Sequence, residues 1–157
     1  MRRLLSGGLV VFAGVVSPVV VSHHQASAVL PSDHRKDARF DALRKFFHKA
    51  DCPAQEYSDV FIEAADRYEL DWRLLPSLSY VESTGGKQAR NNNLFGWDSG
   101  RAQFASPVEG IHHVGYWLAN SNLYRDKNLD ELLETYNPSA EYAQKVKSVM
   151  RRIAPEE

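Results

Sequence analysis

The chain has 157 residues, 19 basic and 20 acidic side chains, six histidines and one cysteine, for a formal net charge of -1. That balance offers no clustered basic face of the kind nucleic acid binding needs, and a lone cysteine, Cys52, excludes an intramolecular disulfide. With the apolar start set aside, about 125 residues remain, enough for one core and too few for two.

Arg2 and Arg3 precede an apolar run from Leu4 to Val21 that ends near Ala26-Ser27-Ala28, the pattern of a secretory signal removed after Ala28. A membrane anchor is the competing reading, but Gly7, Gly8, Gly14 and Pro18 weaken a spanning helix, and small residues at a cleavage site favour removal. Removal leaves 17 basic residues against 20 acidic ones. The expected product is an exported monomer, periplasmic or secreted, with no membrane span.

Residues 29–52 read as a short polar linker followed by a helix in which Phe40, Leu43, Phe47 and Ala50 recur at helical spacing. Pro53 opens the main domain, expected over 53–155, with a second helical stripe of Tyr57, Val60, Phe61, Ala64 and Tyr68. Asp71 is placed to cap a third helix through Trp72, Leu74, Leu75, Leu78 and Val81, with Pro76 distorting its first turn and Gly85 and Gly86 ending it. From 84 to 105 periodicity disappears. A fourth helix starts at the capping box Ser106-Pro107-Val108-Glu109 and runs through Ile111, Gly115 and Leu118. Asn128 caps a short helix over Leu129, Leu132 and Leu133, and Asn137-Pro138 starts a last one using Tyr142, Val146, Val149 and Ile153. No strand pattern stands out, so the fold expected is mainly α.

Glu82 lies four residues after Leu78 and seven after Leu75, at the border of an apolar stripe and the carboxyl end of a helix. Both the helix-end potential and desolvation push such a carboxyl toward its protonated form, as a general acid requires. Taken alone, a glutamate on a helix is mostly a solvated surface side chain and rarely catalytic. It runs, however, into Asn91-Asn92-Asn93-Leu94-Phe95-Gly96-Trp97, where amides and aromatic faces suit the hydroxyls and C–H faces of pyranose rings. Asn92, Asn93, Phe95 and Trp97 are therefore the candidate substrate-binding residues. The histidines show no zinc spacing, and no metal is expected.

Three blocks in order resemble the bacterial peptidoglycan β-N-acetylglucosaminidase domain, a lysozyme-like superfamily member related to mannosyl-glycoprotein endo-β-N-acetylglucosaminidases. They are Val81-Glu82-Ser83-Thr84-Gly85-Gly86-Lys87, Asn92-Asn93-Leu94-Phe95-Gly96-Trp97, and Tyr136-Asn137-Pro138 followed by Tyr142-Ala143-Gln144-Lys145-Val146. The resemblance implies a lysozyme-like helical domain, cleavage of peptidoglycan glycan strands, Glu82 as the acid and Tyr136 as a cleft tyrosine supporting the reacting sugar. Tyr136 could also be a core-edge aromatic. Tyr142 sits on the periodic stripe and reads as core, and Trp72 and Trp117 read as structural.

The family carries a β-hairpin lobe after the Leu-Phe-Gly block, often with a second carboxylate. Here only residues 98–103 separate Trp97 from Phe104, so the lobe is expected to be reduced or absent. Asp98 is the candidate second acid, although beside Ser99-Gly100 it equally suits a turn, and Glu109 is better explained by its capping box. Hydrolysis, formation of an anhydro product as in lytic transglycosylases, and glycan binding or partner positioning without cleavage all remain open. So does a plain secreted helical bundle whose loop merely packs. None of the chemistries requires a cofactor.

Overall fold

Asp37 accepts a hydrogen bond from the Arg39 amide at 2.8 Å, satisfying one of the free amides at a helix start. It opens helix α1 (Ala38–Lys49) in the computed structural model, which describes residues 37–155. The expected signal and the linker at 29–36 lie outside the described residues. Pro53–Tyr57 form a 3-10 turn, followed by α2 (Ser58–Tyr68), α3 (Leu74–Ser83), α4 (Pro107–Asn120), α5 (Leu129–Tyr136) and α6 (Ala140–Ile153). The described residues are all-α, with no strand. Helix α3 packs on α6 and α2 on α4, around a core that includes Phe47, Phe61, Leu75, Leu78, Ile111 and Val146.

Two helix starts differ from the sequence expectation. Helix α3 begins at Leu74 because the Asp71 carboxylate is engaged one step earlier, accepting from the Arg73 amide at 2.9 Å and its guanidinium at 2.7 Å. Trp72 therefore lies in a turn before α3, packed against the core. Pro76 is the third residue of α3, where the amide it lacks has no helical partner to lose, so the helix continues unbroken to Ser83. Helix α6 begins at Ala140, capped by the Ser139 hydroxyl, while the Asn137 side chain accepts from the Ser139 amide just before it. Helix α4 starts where expected, with Ser106 accepting from the Glu109 amide. The Glu109 carboxylate, however, reaches past Ser106 to the Ala105 amide at 2.6 Å. A reciprocal capping box is complete at Asn128 and Glu131 instead.

The segment between α3 and α4 is ordered by one side chain. Asn93 is buried, and its amide donates to the Trp97 and Ala102 carbonyls at 3.0 and 3.2 Å. Its oxygen accepts from the Phe95 and Trp97 amides at 3.3 and 2.9 Å. Around it Asn91, Asn92, Asp98 and Ser99 adopt left-handed backbone angles, which short polar side chains tolerate better than most, and that accounts for the polar composition of the loop. Asn93→Ala removes four hydrogen bonds to backbone groups and is expected to destabilise the protein by about 3 kcal/mol. Urea unfolding should register this as a lower midpoint at unchanged slope; an unaltered midpoint would show the loop to be held by other contacts.

Candidate functional site

The end of α3 is stitched to this loop by its own last residue. Ser83 is buried, and its hydroxyl donates to the Leu94 carbonyl at 2.8 Å and accepts from the Gly86 amide at 3.0 Å. Leu94, Phe95 and Gly96 are thereby laid beside Glu82, the penultimate residue of the helix. Gly96 has φ +60°, and a Cβ there would stand 2.9 Å from Glu82 Oε2. Glycine suits both the left-handed backbone angle and the close carboxyl, which any side chain at this position would push aside.

The other carboxyl oxygen is fixed from α6. The Tyr142 hydroxyl donates to Glu82 Oε1 at 2.6 Å, and the Tyr142 ring stacks on Tyr136 at 6.0 Å with an interplanar angle of 11°. Tyr136 in turn donates its hydroxyl to the Phe95 carbonyl at 2.7 Å. Burial raises the Glu82 carboxyl above its ordinary range, and the hydrogen bond from Tyr142 opposes that rise without cancelling it. Burial also raises both phenols, and the nearby Glu82 charge adds to the effect, so Tyr136 and Tyr142 remain proton donors.

Glu82 faces a cleft of about 570 Å³ whose wall includes Gly96, Trp97, Asp98, His113, Trp117 and Tyr136. Trp97 sits 6.0 Å from both His113 and Tyr136 by ring centroid, and 6.5 Å from Tyr124. The cleft wall is thus mostly aromatic, with a single half-buried carboxyl beneath it.

The structure brings together Glu82, Trp97, Asp98 and Tyr136 of the residues singled out from sequence. Phe95 borders the cleft, but its side chain is 0 % exposed and belongs to the core. Asn92 and Asn93, expected to bind substrate, are instead used by the loop: Asn92 donates to the Phe104 carbonyl at 2.8 Å, and the Asn93 amide is committed as described above. Asp98 is exposed, takes φ +52° and is bonded to the Arg101 guanidinium at 2.6 Å, the geometry of a turn residue at the rim.

The sequence reading missed Tyr142, His113, Trp117 and Tyr124. A buried tyrosine hydroxyl needs a partner, which is the one clue that Tyr142 offered. His113 and Trp117 extend a row from Gly110 at helical spacing, beside the core row of Ile111, Val114 and Leu118. Among the described residues no group of three or more His, Cys, Asp or Glu side chains comes together to hold a metal ion. Compared with known proteins, the chain matches no family model, no curated protein and no solved structure.

Gly96→Ala is expected to force the Glu82 carboxyl out of place and to cost about 1–2 kcal/mol in backbone strain. A melting temperature equal to that of the wild type would contradict that steric account. Tyr142→Phe removes the interaction that lowers the Glu82 pKa, so the carboxyl should titrate higher than in the wild type when followed by its carbon-13 chemical shift. Because the folded pKa already exceeds the unfolded one, the stability linked to this proton is complete below the unfolded pKa and lost as pH rises through the folded value. The substitution should move the upper edge of that window to higher pH, and a downward move would refute the assignment.

Proposed function

We propose that this chain cleaves β-1,4-linked N-acetylhexosamine polymers of the peptidoglycan type, using a lysozyme-like helical domain without a β-lobe and Glu82 as general acid. One observation carries the reading: a half-buried carboxyl, raised above its usual range, beneath an aromatic-walled cleft. The three sequence blocks that resemble glucosaminidase domains supply the substrate class, and on this reading the chain acts on glycan strands after export.

The two carboxyl oxygens have different roles. Tyr142 occupies Oε1, so the catalytic proton resides on Oε2, the oxygen turned toward Gly96. That proton passes to the glycosidic oxygen as the bond to C1 breaks; the bonding pair leaves with the departing sugar, and positive charge develops over C1 and the ring oxygen. Tyr136 supports the reacting ring. Its phenol and that of Tyr142 stay protonated throughout, so neither competes with Glu82 as an acid.

Completion of the reaction needs a nucleophile at C1. Asp98 is an exposed turn residue at the rim whose carboxylate is engaged by Arg101, a position that favours nucleophiles internal to the substrate. Attack by the acetamido oxygen followed by water gives hydrolysis. Attack by the 6-hydroxyl of muramic acid gives an anhydro end, the lytic transglycosylase outcome and the second reading.

Digestion of purified peptidoglycan, followed by mass spectrometry of the released muropeptides, separates these outcomes. Glu82→Gln is expected to slow release by roughly 10²- to 10⁴-fold. Reducing ends mark hydrolysis and anhydromuramic ends mark transglycosylation. If the wild type releases neither, the enzymatic reading fails and a wall-binding domain takes its place.

A further inference from the structure

Trp117 is 45 % exposed near the carboxyl end of α4, and unlike Tyr116 beside it, which is also exposed, it lines the cleft that Glu82 faces. It is not adrift. Its ring lies 6.2 Å from His113, one helical turn earlier on α4, and His113 is itself flanked by Phe104 at 5.2 Å and Trp97 at 6.0 Å. The rings form a continuous series from Trp117 through His113, Trp97 and Tyr136 to Tyr142, whose hydroxyl reaches Glu82. Exposure rises along it: Tyr142 is buried and Trp97 half-buried, whereas Trp117 stands open at the far end and still lines the same cleft.

We propose that Trp117 is a distal sugar platform, binding a pyranose ring of the glycan chain several units away from the bond cleaved at Glu82. The inference rests on the proposed glycan reading and adds to it that the cleft recognises a run of sugars rather than one glycosidic bond. An indole held by its backbone helix and by a neighbouring ring loses little freedom when a sugar covers it, and its face suits the axial C–H groups of a β-linked hexosamine. His113, between the two indoles, offers ring nitrogens to hydroxyl or acetamido groups of the sugar lying between the platforms.

Binding of chitooligosaccharides to the full chain, from the disaccharide to the hexasaccharide, tests the platform by isothermal titration. In the wild type, affinity should rise with length. Trp117→Ala should weaken the longest oligomers roughly five- to tenfold, leave the disaccharide unchanged and so flatten the length dependence; Trp117→Phe should keep most of it. Unchanged affinity of Trp117→Ala for the hexasaccharide overturns the platform, as does an equal loss at every length, which would mark a general change in cleft shape. In either case, retained cleavage of peptidoglycan by the wild type, lost in Glu82→Gln, leaves the proposed function standing. Failure of the wild type both to bind any oligomer and to release any muropeptide removes the two together.

Discussion

The site depends on how closely a backbone can approach a carboxyl. Glu82 is covered by Gly96, whose missing side chain leaves room for Oε2, and is held from the opposite side by Tyr142. The carboxyl is thereby half-buried rather than sealed in. Full burial would have left it inaccessible, and full exposure would have left it an ordinary acidic side chain. The balance is visible in the opposing influences on its proton, with burial outweighing the tyrosine hydrogen bond.

Much of the surrounding framework exists to keep Gly96 where it is. Ser83 ties the helix end to Leu94, Asn93 closes the loop on itself, and Tyr136 braces the Phe95 carbonyl from α5. Each contact engages a main-chain group on or beside the Leu94–Phe95–Gly96 stretch. The asparagines that looked like ligands for sugar hydroxyls satisfy peptide groups instead. The same chemistry serves both purposes, because an amide side chain matches a backbone peptide as readily as a substrate acetamide. From the sequence the two uses are indistinguishable; the hydrogen-bond partners separate them.

The helices were legible because apolar spacing of three and four residues survives as buried faces on α1, α2, α4 and α6. Their starts were less so. Asp71 and Asn137 are both good caps by residue type, yet each caps a preceding turn, and only the local backbone decides which amide lies within reach. The position of Glu82 at the cleft was legible because it combined a stripe border with a helix end. Tyr142, Trp117 and His113 were hidden because helical positions with apolar character look the same whether they face a core or a cleft, and the difference lies in how distant segments come together. Trp72 shows the reverse case, an indole assigned to a helix that sits in a turn and serves the core.

The hydrogen bond between Tyr142 and Glu82 joins residues 60 positions apart, and that between Tyr136 and Phe95 spans 41. Pairings this remote carry the loop-closure cost of the chain between them, so they stand only on the rest of the helical frame. The surroundings of the carboxyl are therefore a long-range product of the whole helical frame: its cover comes from the loop before α4, and the two phenols arrive from α5 and α6.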